Sequence, residues 1–236
     1  MTDAPATATY RLDGDLAVIT LDDGKANAFS TAALDHLDAL LDRVEADGAR
    51  GLVLVGRPGR FSAGFDLGEM TVSSEQTRAL VAKGARWWLR VYGLGIPTVG
   101  ACTGHALAGG AITLLSLDVR LGADVAAKIG LNEVAIGMTL PRFAVELARD
   151  RLAGSHLWRA VTGEVFSPAG AVEAGYLDRV VPEADLLDEA IATARALAAR
   201  NTTAYGGTKR NVRGAMIERC LAELEPDMAG VVIPTP

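Results

Sequence analysis

Aromatic side chains are scarce in this chain, at 5% of its 236 residues. The core must therefore be packed mostly from Ala, Val and Leu, within a hydrophobic share of 50%. Cysteine is rarer still: Cys102 and Cys220 stand far apart with no CxxC spacing. That pattern excludes a disulfide framework and reads as reduced, buried thiols in a cytoplasmic protein. Lys and Arg form no dense run, and the formal net charge is −6. Nucleic acid is thus disfavoured as a partner, because neutralising phosphates needs clustered cations. No apolar run reaches the ~18 residues of a membrane span. Residues 1–9 lack the basic start and apolar stretch of a secretory leader. A P-loop, a dinucleotide fingerprint and a GxSxG elbow are missing, as is any metal-ligand spacing of His, Cys and carboxylates. No metal and no cofactor are expected.

Glycine, by contrast, is plentiful at 26 residues, many of them in turns between apolar runs. Residues 9–21 read as a hairpin about Asp13-Gly14, with Tyr10, Leu12, Leu16, Val18 and Thr20 alternating in and out. Ser30 caps a helix whose inner face is Leu34, Leu37, Leu41 and Val44, ended at Asp47-Gly48. Apolar runs at 51–55 and 98–102 suit strands covered on both faces. A helix is expected near 76–92, another from the glycines at 109 and 110 to about 117, and short strands near 119–121 and 127–131. Ser167-Pro168 opens a helix that Gly175 closes, residues 177–182 read as an edge strand, and helices follow at about 185–200 and 207–222. The recurring strand–turn–helix order makes the fold α/β.

Two glycine-bearing turns and one glutamate carry the chemistry. The turns are Phe61-Ser62-Ala63-Gly64-Phe65-Asp66-Leu67 and Gly104-His105-Ala106-Leu107-Ala108-Gly109-Gly110, and the glutamate is Glu133 within Ile129-Gly130-Leu131-Asn132-Glu133. Each turn can offer a backbone N–H at the mouth of a helix. Two such donors converging on one point make an oxyanion hole, and a nearby carboxylate supplies acid–base chemistry.

Together with Asn27-Ala28-Phe29-Ser30, Pro97-Thr98-Val99 and the stretch from Ser167 to Pro182, these pieces resemble the enoyl-CoA hydratase/isomerase (crotonase) family. The resemblance runs from about residue 9 to residue 215. It implies a crotonase-like spiral of ββα units, a core over 1–185 and a C-terminal helical extension over 186–236. It also implies acyl-CoA thioester substrates and homotrimers or hexamers. Carried over by position, the oxyanion-hole donors fall on Ala63 and Gly109, and the catalytic carboxylate on Glu133. Hydratases of the family use a second glutamate three residues after the Gly109 position, where this chain has Ile112. An alkyl side chain cannot orient water. One carboxylate suffices to move a proton from C2 to C4, and Ile129-Gly130-Leu131-Asn132-Glu133 looks like the monofunctional Δ3,Δ2-enoyl-CoA isomerases. An isomerase is therefore expected. A hydratase or other thioester enzyme, and a non-catalytic acyl-CoA-binding protein, are the alternatives.

Further expectations attach to single residues. Lys25, Ala26, Ala28 and Ser62 fall where the family contacts coenzyme A. Ile112 and Leu131 are expected to wall the acyl group near Glu133, whose pKa burial should raise. Asp66 and Leu67 follow the first turn beside the substrate, with Asp66 capping the next helix. Lys209, Arg210 and Arg213 read as a solvated helix face or as a contact for the CoA 3′-phosphate. Trp87 and Trp88 read as core, and His105 as a packing or hydrogen-bonding residue.

Overall fold

The computed structural model describes residues 7–231. Its strands are β1 Ala8–Asp13, β2 Leu16–Leu21, β3 Ala28–Phe29, β4 Gly51–Val55, β5 Gly59–Ser62, β6 Gly64–Phe65, β7 Thr98–Cys102, β8 Gly104–Leu107, β9 Val119–Ala123, β10 Ile129–Gly130 and β11 Arg179–Val181. The helices are α1 Thr31–Ala46, α2 Leu67–Met70, α3 Ser74–Gly93, α4 Gly109–Ser116, α5 Arg142–Arg151, α6 Gly154–Val161, α7 Pro168–Ala174, α8 Leu186–Ala198, α9 Thr202–Ala222 and α10 Leu224–Gly230. None of the described helices is long and apolar enough to cross a membrane.

The strands follow a repeating rule. The first strand of each unit joins a six-stranded sheet of order β1-β2-β4-β7-β9-β11, parallel throughout except for the β1–β2 hairpin. The next strand turns away into a smaller sheet, either β10-β8-β5 or β3-β6, and a helix then returns the chain. This is the crotonase-type spiral of ββα units. Each turn of the spiral places one loop of a small sheet beside the loop of the turn before.

The large sheet is covered on both faces. Leu16, Val18, Val53, Val55, Val99 and Ala101 pack against Leu186, Ala190, Ala194 and Ala198 of α8. Ala17, Ile19, Leu52 and Leu54 turn into the main core with α1, α3 and α4. Strand β2 is therefore buried on both faces, so the in-and-out alternation expected for it fails; β1 at the edge leaves Leu12 exposed. Double coverage removes the polar face that alternation requires.

Helix boundaries follow local chemistry. Ser30 accepts from Ala33 N–H at the start of α1, and Ser73 accepts from Gln76 N–H at the start of α3. Ser167 caps α7 with Pro168 at its first position, and Gly175 closes it in the left-handed region. Helix α9 begins at Thr202, five residues before the expected start, because Asn201 caps it by accepting from Ala204 N–H.

The basic cluster on α9 is corrected by the structure. Lys209 and Arg213 are buried, not a solvated face or a phosphate contact. Both meet Asp118, at 2.9 and 2.6 Å, and Asp118 also accepts from Tyr205 O–H and Thr98 N–H. One carboxylate at the end of the sheet thus anchors the long C-terminal helix. Arg210 stays exposed.

Candidate active site

The two glycine turns meet at the N-terminus of α4. A side chain on Gly110 would begin 2.3 Å from the Ser62 carbonyl oxygen, so glycine is required for this approach. Gly64, at φ 93°, has its vacant β-position 2.9 Å from Ala108 Cβ and 3.1 Å from Gly109 N. From the other side Trp88 clamps α4: its Nε1–H donates to Thr113 Oγ1, which donates to the Gly109 carbonyl. Trp87 and Trp88 are both core residues, as expected.

Gly109 is the first residue of α4, and the helix's first internal bond runs from Ile112 N–H to the Ala108 carbonyl. The Gly109 N–H thus has no intrahelical acceptor and stands at the positive end of the helix dipole. The other expected donor is corrected. Ala63 N–H donates to the Ala26 carbonyl at 3.0 Å and is already spent. Just beyond it, Gly64 and Phe65 pair with Ala28 and Phe29, and Asp66 N–H donates to the Phe29 carbonyl. In a parallel ladder alternate residues turn their N–H groups to the partner. Phe65 N–H therefore faces away from β3, and Phe65, not Ala63, carries the open amide of the first turn. The hydrogen bonds of β3 and β6, not the motif spacing, reveal this.

Glu133 reaches the same place from a third turn of the spiral. Strand β10 pairs with β8, Ala108 N–H donates to the Gly130 carbonyl at 3.0 Å, and Phe166 bonds Ile129 from the other side. The Glu133 carbonyl then accepts from Ile136 and Met138 N–H groups, which ties down the backbone of the residue. Its side chain is 5% exposed, and Oε2 has no hydrogen-bond partner. Burial pushes its pKa up to about 7, as the sequence led one to expect.

These groups open on a cleft of about 470 Å³ lined by Ala63, Phe65, Ala108, Ile112, Asn132 and Glu133. Lys25, Ala26, Ala28, Asp66 and Leu67 line it as well. Met70, Val81, Met138 and Phe143 add an apolar wall that no sequence period announced. Two expected contacts are not made. Ser62 is fully buried, its Oγ donating to the Asn27 carbonyl and accepting from Gly64 N–H, so it shapes the turn from behind. Leu131 is buried in the core behind Glu133 and does not line the cleft.

The other acids near the cleft are committed elsewhere. Asp66 caps α2 by accepting from Glu69 N–H, and Glu69 itself binds Thr31 at the head of α1. Burial works against the Asp23 carboxylate, yet N–H bonds from Asn27, Lys25 and Ala28 outweigh it and hold its pKa below the usual range. Glu133 alone combines burial, an unpartnered oxygen and a pKa near neutrality. His105 Nδ1 accepts from Lys128 N–H, a structural bond.

A ββα spiral that brings two glycine turns and one buried acid together at one cleft defines a crotonase-type enzyme. The comparisons agree. Residues 11–228 match the family model for enoyl-CoA hydratase/isomerase, and the chain belongs to that family. The human mitochondrial enoyl-CoA delta isomerase 1 is 32% identical over 222 residues, which cover 92% of this chain and 74% of that protein. A fatty acid oxidation complex subunit alpha from Idiomarina loihiensis is 36% identical over 182 residues; these are 75% of this chain and only 25% of that longer protein. Among solved structures, an enoyl-CoA hydratase/isomerase family protein from Pseudomonas syringae superposes with a TM-score of 0.92 at 41% identity, covering 95% of this chain and 97% of the other.

Proposed function

We propose that this chain is an enoyl-CoA isomerase that moves a double bond from C3 to C2 of an acyl-CoA thioester. The observation that carries the reading is a lone buried carboxylate, Glu133, sharing a cleft with Ile112 where a hydratase needs its second glutamate. The Glu133 carboxylate takes a proton from C2. The electron pair passes to the thioester oxygen, which the N–H groups of Gly109 and Phe65 stabilise as a dienolate oxyanion. Glu133 then returns the proton to C4, leaving the conjugated 2-enoyl thioester. A pKa near 7 suits a group that must both take and release a proton near neutrality.

Lys25 at the exposed mouth faces the coenzyme A phosphates, while Ala26 and Ala28 leave room for the pantetheine arm. Asp66 holds the turn beside Leu67, and Ile112 borders the acyl group. The proton transfer requires no cofactor beyond the coenzyme A that the substrate carries. A homotrimer or a pair of trimers is supported by exposed apolar side chains such as Trp158, 77% exposed, and Ile136, 50% exposed. The cytoplasm is the location we favour, a reading that two cysteines without disulfide spacing support.

The test is conversion of 3-hexenoyl-CoA to 2-hexenoyl-CoA, followed by ultraviolet absorbance of the conjugated product. Glu133→Gln should lower kcat by about 10²–10⁴-fold. An unchanged rate would remove Glu133 from the mechanism. A 3-hydroxyacyl product formed as fast as the isomer would make the chain a hydratase.

A further inference from the structure

Ala108 has φ 48° and ψ −118°, a conformation that a residue with a β-carbon enters only under strain. Asn27 is the other non-glycine with positive φ among the described residues, and asparagine tolerates that region. Glycine would occupy position 108 without strain. A methyl group therefore stands where the backbone opposes one, and strain of this kind marks functional positions.

The surroundings say what the methyl does. Ala108 N–H is held by the Gly130 carbonyl and its own carbonyl by Ile112 N–H, so the peptide cannot rotate to relieve the strain. Its Cβ sits 2.9 Å from the vacant β-position of Gly64, beside the Gly109 amide. Ala108 and Ile112 stand four residues apart at the head of α4, on one face, and both line the cleft that holds Glu133. Neither side chain offers water a hydrogen bond.

We propose that Ala108 is a specificity-determining residue. Its methyl, with Ile112 one turn on, keeps water from the enolate oxygen and from Glu133. The proton removed from C2 is then returned to C4 before it exchanges with solvent, and the oxyanion contacts act in a dry medium. The inference rests on the isomerase reading.

Ala108→Gly tests it. The native chain and the variant are turned over on 3-hexenoyl-CoA in D2O, and deuterium per product molecule is counted by mass spectrometry. Thermal midpoints are measured alongside. The variant should gain about 2–4 °C from relief of strain, while deuterium per turnover rises several-fold. Equal deuterium content would overturn the proposal. So would a rise accompanied by a lower midpoint, which would mean general loosening. Absence of native turnover would instead strike the isomerase reading, and the carbonyl stretch of bound hexanoyl-CoA then decides on Ala108 separately. A narrow native band that broadens in Ala108→Gly supports exclusion of water, and superimposable bands overturn it.

Discussion

Glu133 shows how one side chain links stability to chemistry. Its pKa in the folded chain is about 7 against an ordinary 4.5. As pH rises past 4.5 the unfolded chain ionises this group first, so the native state loses stability until pH passes about 7. The stabilising contribution is complete below the unfolded value and gone above the folded one. Glu133→Gln removes the titration. Urea unfolding at about pH 8 should find the variant more stable by up to roughly 3 kcal/mol, with the pH-dependent gain absent at about pH 4. In the proposed mechanism the same ionisation governs catalysis, since the base must begin as a carboxylate. Isomerase kcat should rise with pH through about 7 and then level. At Ile112 the expected change is one of reaction. Ile112→Glu would set a second carboxylate in the cleft, and product analysis should show 3-hydroxyacyl-CoA appearing as isomerisation falls.

At the scale of elements, two attachments decide where the cleft is built. Strand β10 carries the base into place through the Ala108–Gly130 bond and the bridge to Phe166. Helix α9 is anchored by Asp118, whose burial opposes its charge while Lys209 and Arg213 more than compensate and lower its pKa. Lys209 in turn is lowered to about 8, chiefly by burial and against the pull of Asp118. Asp118→Ala would leave two buried cations without their partner. Denaturant titration should then show a loss of about 3–5 kcal/mol, far more than removal of an exposed pair on the same helix.

At the scale of the whole molecule, the exposed apolar residues Val134 and Ile136 lie on the turn after Glu133, and the exposed Trp158 of α6 shares a neighbouring groove with Val134. If they form the contact between subunits, Trp158→Glu should shift the sedimentation coefficient toward the monomer without changing the far-ultraviolet circular dichroism. The α/β layering was legible in advance, and the spiral came only with the family resemblance. Alternating apolar runs, glycine turns and capping serines marked most of the strands and helices, because those signals are local and act through backbone geometry. Less legible was any feature made by coverage from afar. Strand β2 lost its expected alternation to α8, which lies some 170 positions later in the chain. Lys209 and Arg213 resembled a wet helix face until Asp118 was placed beneath them.

By itself the order of residues determined the family and the α/β class and singled out Glu133 as the candidate acid, since turn chemistry and motif spacing are properties of neighbouring positions. Tertiary structure decided which amides remain open, moving the first donor from Ala63 to Phe65, and which residues face the cleft, excluding Ser62 and Leu131. The physical reason is the same in each case. A hydrogen bond already made, or a side already covered, depends on partners from distant segments, and only the packed chain brings those partners together.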